Sequence, residues 1–336
     1  MKRIILVILT VLLDLLAIAF LFFTYGPISY FRDLWITTAM TTMNHRYLAN
    51  VLYDEDTIYR VLSQNYLKEI EENTDPNQIQ FNQIVESEHY ESIYEEQILK
   101  KDEGNDLYKV IPLSGNTYKG YMVVVYDPSR VSLVSSQYLG SRGELLTSMA
   151  ARLSFEVGIN AGGFADPGGY GNGGVPTGAV IQDGQITYRG PETGWTGGLI
   201  GFTYDNILML TKDSPEVAIE NGMRDAVEFG PFLIVNGKRA VARGNGGWGV
   251  SSRTVIAQRQ DGIVLFLIID GRQPGYSIGI DMVEMTNLLV RYKAYNAANL
   301  DGGASTDLVI GGKLINRPCG FSANGERWLP NAWIVK

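Results

Sequence analysis

Glycine is distributed very unevenly along this 336-residue chain, and this distribution limits the fold more than any other feature. Of the 38 glycines, 36 lie after residue 106. In that region, short apolar runs alternate with glycine-containing turns, a pattern typical of β-strands. Strands are predicted at 121–126, 198–202, 207–211, 231–237, 254–258 and 263–270. We therefore expect a sheet-rich domain after residue 106.

One helix can be placed inside this region. Asp281 and Glu284 have the spacing of a capping box, which begins a helix by satisfying free backbone N–H groups. Apolar side chains then recur on one helical face up to Tyr292, which predicts a helix over 281–295. This helix follows the predicted strand 263–270 and leads into NLDGG (299–303). The order of elements predicts an α+β domain with a mixed sheet and with carboxylates at one sheet edge.

The N-terminal 25 residues have a different character. Lys2 and Arg3 precede an apolar run over 4–23, which is long enough to cross about 30 Å of hydrocarbon as a helix. Asp14 within it costs roughly 3 kcal/mol on insertion scales, which the surrounding apolar residues can offset. A cleavable signal peptide is the alternative, because Ala17-Ile18-Ala19 has a small-x-small pattern. The apolar run continues past that point, so we expect an uncleaved signal anchor with its basic pair inside.

Charge separates the remainder into two parts. Residues 69–106 carry twelve acidic and two basic side chains, whereas residues 107–336 have a net charge of +1. Such an acidic stretch is typical of a solvated spacer. We therefore predict an anchor at 1–25, a helical acidic stalk at 26–106 and one domain at 107–336. The chain would be a single-pass membrane protein with an extracellular domain, and nothing in its charge indicates nucleic-acid binding.

The residue inventory excludes several kinds of chemistry. The only histidines, His45 and His89, lie in the predicted stalk, so Ser-His-Asp and Cys-His sites and the usual zinc sites are not expected in the domain. Cys319 is alone and cannot form an intrachain disulfide. The glycine-rich stretches 168–174 and 244–249 lack a Walker lysine and a βαβ context, so we interpret them as site-lining loops.

Polar side chains remain at the predicted strand ends. Asp270 and Arg272 follow one strand, Arg253 begins another, and Asn160 and Asn316 flank glycine-rich turns. Arginine forks bind phosphate, and carboxylates act as nucleophiles or bases on sugars. Four such strand ends in one domain favour a site for a phosphorylated sugar. Trp195, Trp248, Tyr170 and Tyr276 could stack on a sugar face.

Seven segments resemble, in order and spacing, the phosphodiester glycosidase family: INAGGF (159–164), GPFLIVNGK (230–238), SRTVIA (252–257), IIDGR (268–272), GIDMVEMTNLL (279–289), NLDGGAST (299–306) and GGKLINRP (311–318). The resemblance covers roughly 107–336. The family includes the uncovering enzyme, which removes N-acetylglucosamine from a sugar phosphodiester, and bacterial members associated with exopolysaccharide biosynthesis. The chain has Ala257 and Ala304 where members commonly have glycine.

The resemblance implies hydrolysis of a sugar-1-phosphodiester without a cofactor, although a divalent cation at Asp301 or Asp270 is left open. Asp301 is the first choice for the carboxylate that attacks the anomeric carbon or activates water, followed by Asp270 and Glu228. The other expected site residues contact phosphate or sugar through guanidinium, amide, hydroxyl or backbone N–H groups: Arg253, Arg272, Arg317, Asn160, Asn316, Gly162, Gly163, Gly302, Gly303, Ser305 and Thr306.

Two other classes of function stay open from the sequence. One is a non-catalytic module that binds or guides a surface polymer through the same arginines and glycines. The other is a structural part of an envelope assembly, with the stalk as the partner surface. For the enzyme and for the binding module, the expected partners are a sugar phosphodiester or surface glycan, together with the membrane. We favour the enzyme because Arg253, Asp270, Arg272 and Asp301 all stand at predicted strand ends.

Overall fold

Helices and strands contribute nearly equally to the computed structural model of the protein, which describes residues 2–42, 45–81, 89–166, 171–190, 197–320 and 322–336. Tyr170, Trp195 and residues 168–170 of one predicted loop lie outside the described residues. The α-helices are α1 Lys2–Tyr25, α2 Ser29–Met40, α3 Tyr47–Asn50, α4 Glu55–Gln64, α5 Ile93–Leu99, α6 Leu146–Leu153, α7 Pro215–Glu220 and α8 Met282–Arg291.

The strands lie mainly after residue 106, as the glycine pattern predicts. They are β1 Tyr66–Lys68, β2 Tyr108–Ser114, β3 Lys119–Val125, β4 Val131–Ser135, β5 Val157–Asn160, β6 Phe164–Ala165, β7 Val175–Pro176, β8 Ala179–Gln182, β9 Gln185–Arg189, β10 Gly198–Thr203, β11 Leu208–Thr211, β12 Met223–Phe229, β13 Phe232–Val235, β14 Lys238–Arg239, β15 Val241–Arg243, β16 Arg253–Arg259, β17 Val264–Ile269, β18 Ala294–Asn299, β19 Leu308–Ile310, β20 Lys313–Leu314 and β21 Asn331–Val335.

The chain divides into two compact units. Unit 1 comprises Met1–Tyr66 and Ala242–Gly249, and unit 2 comprises Leu67–Val241 and Val250–Lys336. In unit 1, α1 has a mean hydropathy of 3.1, is exposed along most of its length, and is long and apolar enough to cross a membrane. Helices α2, α3 and α4 pack together through a small apolar core that contains Ile36, Ala49 and Val61.

The structure places the boundary between units near residue 66, whereas the acidic composition predicted a separate stalk up to residue 106. The segment 67–106 belongs to unit 2, and α5 is its only α-helix among the described residues. Backbone groups of Thr74 and Leu210 bond at 3.0 Å. Acidic side chains also pair with the domain, as Glu91 and Glu95 do with Lys293, each at 2.6 Å. The acidic charge therefore has basic partners here and does not mark a solvated spacer.

Unit 2 contains three larger sheets. Their strand orders are β14-β13-β18-β16-β17-β3-β2, β11-β10-β12-β8-β9 and β20-β19-β5-β21-β4. Apolar side chains between the sheets, among them Phe202, Phe266 and Trp333, form one buried core. Burial of side chains of this size supplies most of the stabilisation that opposes the chain's conformational entropy.

The predicted α+β class is confirmed. However, the strand pairs of all three larger sheets are antiparallel, so none of these sheets is mixed. The reason lies in the β17-α8-β18 connection. Strands β17 and β18 both pair with β16, one on each side. The α8 crossover therefore skips a strand, and β17 and β18 never pair with each other. Helix α8 begins as predicted, since the Asp281 side chain accepts a hydrogen bond of 2.8 Å from Glu284 N. It ends at Arg291, short of the predicted residue 295, and β18 begins at Ala294.

This topology brings four strand ends together. In the register of the seven-stranded sheet, Arg253 at the start of β16 is opposite Ile269 at the end of β17, and Asn299 at the end of β18 is opposite Val255. The end of β5 at Asn160 belongs to another sheet and is joined to this edge through its side chain, which hydrogen-bonds to Asp301 O. The polar residues that follow these strands therefore lie in one region.

Candidate functional site

The loop that carries Asp301 is held between two sheets by its backbone. Asp301 N donates to Ala161 O at 3.1 Å. Asn160 Nδ2 donates to Asp301 O at 2.6 Å, and Leu300 N donates to Thr254 O at 2.8 Å. These bonds fix the main chain on both sides of Asp301, so its side chain projects from a rigid support.

The glycines after Asp301 are required by close contacts. Gly303 has a φ of 63°, and its N–H donates to Ser252 O at 3.0 Å. A Cβ atom at Gly303 would lie 2.8 Å from a terminal nitrogen of Arg272. A Cβ atom at Gly302 would lie 2.8 Å from Ser252 O. The pair therefore lets the loop lie against Ser252 and Arg272. Ala304 is not among the residues with positive φ, so its methyl group introduces no backbone strain.

Asp301 is partly buried, and its surroundings act on its charge in opposite directions. Burial raises the pKa of Asp301 above its ordinary value. The Ser305 hydroxyl, the Arg327 guanidinium, the Gly302 N–H and the Arg272 guanidinium each favour the charged carboxylate. A carboxylate with a raised pKa that is faced by two guanidinium groups is typical of an active site.

Two arginines lie next to each other on the same side of the loop. Arg253 is buried, and burial together with the charge of Arg272 lowers the pKa of Arg253 to about 10. Arg272 is exposed, and its Nε donates to Ser251 Oγ at 3.1 Å. Because these like charges repel, an anion between them would be stabilised by both. The structure thus places Arg253 and Arg272 together, as the sequence predicts.

Asp270 has a different environment from Asp301. Its carboxylate accepts hydrogen bonds from Asn316 Nδ2 at 2.9 Å, Tyr276 OH at 2.9 Å and Arg317 N at 3.1 Å. Burial raises the pKa of Asp270, while these donors favour its charged form. Asp270 is buried, and these hydrogen bonds hold the Asn316-Arg317 segment in place.

Several other predicted residues also have structural partners. Asn316 Nδ2 additionally donates to Thr306 O at 2.8 Å, and Asn316 Oδ1 accepts from Leu308 N at 2.7 Å. Gly162 N donates to Asn331 Oδ1 at 2.8 Å. The N–H groups of Gly162 and Gly303 are therefore directed at protein acceptors and not at a ligand. A Cβ atom at Gly163 would lie 2.5 Å from the Phe229 ring, so this glycine permits close packing.

Glu228 and Arg317 lie at the margin of the site. On β12, the side chains of Val227 and Phe229 are buried and pack beside Gly162 and Gly163, where they would contact an added Cβ atom. Glu228, between them, is exposed. Glu228 Oε2 accepts a hydrogen bond of 3.0 Å from Ala179 N. Because alternate residues of a strand face opposite sides, Glu228 points away from the Asp301 loop. The exposed Arg317 guanidinium lies 5.0 Å from the centre of the Tyr276 ring.

The sequence interpretation missed Arg327. Its guanidinium lies 4.4 Å from the centre of the Phe164 ring and 2.5 Å from Asp166 Oδ2. Asp166 in turn accepts from Gly171 N at 2.9 Å. Arg327 acts on the charge of Asp301 from outside the strand ends that the sequence singled out. No strand end or glycine pair precedes it, so no local signal marks it.

A second omission is Asp307, which directly follows Ser305 and Thr306. Asp307 is fully buried, and its two carboxyl oxygens accept no hydrogen bond of good geometry from the described residues, although the Arg327 N–H favours its charged form. Burial, followed by the charge of Glu326, raises the pKa of Asp307 well above its ordinary value. Ser305 Oγ and Thr306 Oγ1 also lack partners of good geometry in the described part of the chain. The sequence signal that marks this residue is a carboxylate directly before the apolar strand β19.

Within the described ranges, no group of three or more histidine, cysteine, aspartate or glutamate side chains is arranged to hold a metal ion. The arrangement around Asp301 can bind an anion beside a carboxylate. Such a site suits a substrate whose leaving group is a phosphate.

Comparisons with known proteins extend these observations. Residues 154–336 match the family model described as phosphodiester glycosidase. The SPbeta prophage-derived uncharacterized protein YomE of Bacillus subtilis (strain 168) is 31% identical over 219 residues, which are 62% of this chain and 33% of that protein. The N-acetylglucosamine-1-phosphodiester alpha-N-acetylglucosaminidase of Bos taurus is 35% identical over 69 residues, which are 20% of this chain and 13% of that protein. The chain thus spans a third or less of these relatives.

Among solved structures, the zebrafish N-acetylglucosamine-1-phosphodiester alpha-N-acetylglucosaminidase catalytic domain, auto-inhibited by its pro-peptide, has a TM-score of 0.56 with this chain. The match covers 70% of this chain and 85% of that structure at 21% sequence identity. At this identity, the similarity establishes a shared fold.

Replacing Asp307 with asparagine should stabilise the protein in a pH-dependent manner. Because the folded-state pKa is raised, wild-type stability is lost as pH rises from the unfolded value, near 3.8, through the folded value. Asparagine has no such titration. We expect Asp307→Asn to gain roughly 1–3 kcal/mol in unfolding free energy at pH 8 and less at pH 4, measured by urea unfolding.

Asp225→Asn is the matched control for this change. Asp225 is also buried, but its oxygens accept hydrogen bonds from Arg224 Nε at 2.8 Å and Asp183 N at 3.1 Å. This variant should therefore be less stable than wild type at pH 8. A comparable loss in Asp307→Asn would contradict the assignment of a costly buried carboxyl group.

Proposed function

Since this chain belongs to the phosphodiester glycosidase family, we propose that it hydrolyses the glycosidic bond of a sugar-1-phosphodiester, with N-acetylglucosamine as the sugar. The observation that carries the proposal is the Asp301 carboxylate at the converging strand ends. Its charge is favoured by the guanidinium groups of Arg327 and Arg272. The substrate belongs to cell-surface polysaccharide or wall glycan metabolism, in keeping with an N-terminal helix that could anchor the chain.

The chemistry follows from the leaving group. A phosphate monoester, whose second pKa is about 6, departs from the anomeric carbon much more readily than an alcohol does. The reaction therefore needs stabilisation of the departing phosphate more than it needs a strong acid. Arg253 and Arg272 supply that charge, and Arg317 at the margin adds to it. Because Arg253 is buried, its interaction with an anion is screened little by solvent.

Asp301 acts at the anomeric carbon, either as the nucleophile or as the base that activates water. Its fixed backbone keeps the carboxylate in one position while bonds change, which is how a rigid support lowers a barrier. Asp270 serves as a positioning residue, because its bonds to Asn316 and to Arg317 N hold the segment that lines the phosphate side.

Asp301→Asn should abolish sugar release. The amide keeps the size of the side chain but loses its charge and basicity, so we expect turnover to fall at least about 10³-fold. The assay measures free N-acetylglucosamine released from UDP-N-acetylglucosamine and from α-N-acetylglucosamine-1-phosphodiesters by the full chain.

Glu228→Gln is the matched control, because Glu228 faces away from the Asp301 loop, and it should retain activity within about twofold. Full turnover in Asp301→Asn would show that the carboxylate is structural. Binding of these diesters by wild-type chain without any sugar release would instead support a non-catalytic glycan-binding module.

The pH profile should report the raised pKa of Asp301. Only the charged carboxylate reacts, so activity falls as pH decreases, with a midpoint above the ordinary value of 3.8. Removing a nearby positive charge disfavours the carboxylate further. We therefore expect Arg327→Gln and Arg272→Gln to shift the acidic limb of kcat/KM to higher pH.

Arg317→Gln provides the comparison, because Arg317 is not among the groups that act on the charge of Asp301. It should raise KM without moving the limb. An acidic limb that stays in place in all three variants would assign the titration to another group.

The N-terminal helix α1 is proposed to remain as a membrane anchor. In cells that express the full chain, we expect the protein to stay in the membrane pellet after washing with carbonate at high pH, because 24 residues of apolar helix bind the bilayer interior. Mass spectrometry should find the N-terminal segment intact. Release into the supernatant with a new N-terminus after Ala19 would identify a cleaved signal peptide.

A further inference from the structure

Two exposed aromatic rings in unit 2 hold an arginine between them. Tyr138 and Trp328 are each 42% exposed. The Arg142 guanidinium carbon lies 4.2 Å from the centre of the Tyr138 ring and 5.5 Å from the centre of the Trp328 ring. Contacts at these distances are attractive because the ring faces are electron-rich. We call these three residues the aromatic platform.

In the part of the chain that the structure describes, the charge of Arg142 has no partner other than these two rings. Its side chain is exposed and forms no hydrogen bond or ion pair with any residue in the described ranges. Its backbone is nevertheless fixed, since Arg142 N donates to Tyr138 O at 3.0 Å and Arg142 O accepts from Ser136 Oγ at 2.9 Å. A guanidinium that is held by two rings, with its N–H groups free, is preorganised to bind a phosphate.

Two backbone segments link the aromatic platform to the residues around Asp301. Trp328 directly follows Arg327, whose charge acts on Asp301 and whose guanidinium packs on Phe164. The segment 171–174 joins the two regions. Its Gly171 N bonds to Asp166, the partner of Arg327, and its Gly174 O accepts from Gly140 N at 2.7 Å.

We propose that the aromatic platform is a second subsite, which binds a sugar phosphate unit farther along a polymeric substrate. A sugar ring would stack its C–H face on Trp328 or Tyr138, and the phosphate of that unit would bind Arg142. This inference rests on the proposed function, because it takes the Asp301 site as the place where the terminal sugar is released.

The chemistry of the aromatic platform distinguishes between substrate classes. A small diester has one phosphate, and Arg253 and Arg272 already suit it. A neutral glycan would use the rings but would gain no attraction between opposite charges from the guanidinium. A polymer that repeats sugar and phosphate has both groups at regular intervals, so it matches aromatic rings and arginine together.

The test compares the binding of a polymer and a monomer. The probes are a chain of repeating α-N-acetylglucosamine-1-phosphate units and the methyl phosphodiester of a single unit. Both are titrated calorimetrically into detergent-solubilised full chain that carries Asp301→Asn, so that neither is consumed. Arg142→Gln should weaken polymer binding roughly tenfold, as expected for loss of hydrogen bonds to a charged group, and change monomer binding by less than twofold.

Two further variants control for folding and for charge. Trp328→Ala should weaken polymer binding to a similar extent, and Trp328→Phe, which keeps a ring, should restore most of it. Arg239→Gln removes another exposed positive charge, on β14, and should have no effect. Equal loss with polymer and monomer, or equal loss in Arg239→Gln, would overturn the subsite. The same is true if a single-stranded oligonucleotide competes as well as the polymer does.

The outcomes also separate this inference from the proposed function. If wild-type chain releases sugar but binds the polymer independently of Arg142, the subsite is overturned and the hydrolase stands. If no sugar is released from any substrate while polymer binding depends on Arg142, the hydrolase fails and a polymer-binding role for the aromatic platform is supported.

Discussion

The geometry of the site depends on the hydrogen bonds of the Asn160 side chain. Its Nδ2 donates to Asp301 O, and its Oδ1 accepts from Thr254 Oγ1 at 2.7 Å and from Asp307 N at 3.2 Å. One buried amide thus joins the end of β5, strand β16 and both ends of the NLDGGAST loop. Because Asn160 is fully buried, loss of these bonds would leave several polar groups unsatisfied in the core. The sequence interpretation expected this residue to bind substrate, and the structure gives its side chain three protein partners.

The second determinant is electrostatic. Burial disfavours the charge on both Asp301 and Arg253. Nearby guanidinium groups oppose this effect at Asp301, whereas the charge of Arg272 adds to it at Arg253. Arg253 and Arg272 place two guanidinium groups near the loop that carries Asp301, and a phosphodiester bound there would interact with both positive charges. The same groups would stabilise the phosphate more as it departs, because its negative charge then increases.

Much of the architecture follows from the sequence. Helix α8 is marked by its Asp281 cap, and β17 is marked by the uninterrupted apolar run VLFLII, because local signals are strong where burial is complete. The strand ends could therefore be identified, and Arg253, Arg272 and Asp301 do lie together. The boundary near residue 66 could not be identified, because composition does not reveal that the acidic residues before 106 pair with lysines far along the chain.

The roles of individual residues were harder to predict. Asp270 and Asp301 look alike in sequence, each a carboxylate before glycine at a strand end. Only the structure distinguishes them, since Asp270 accepts hydrogen bonds from the distant Asn316-Arg317 segment, whereas the distant Arg327 acts on the charge of Asp301. Arg327 and the aromatic platform depend on long-range contacts, for which a single sequence has no periodic signal.

The central claim is tested most directly by determining which bond of the substrate breaks during hydrolysis. Wild-type chain would hydrolyse an α-N-acetylglucosamine-1-phosphodiester in water enriched in oxygen-18, and mass spectrometry would locate the label. Attack at the anomeric carbon, with the phosphate as leaving group, places the label on the released sugar and leaves the phosphate product unlabelled. Label in the phosphate product would show attack at phosphorus and would contradict a glycosidase built around Asp301.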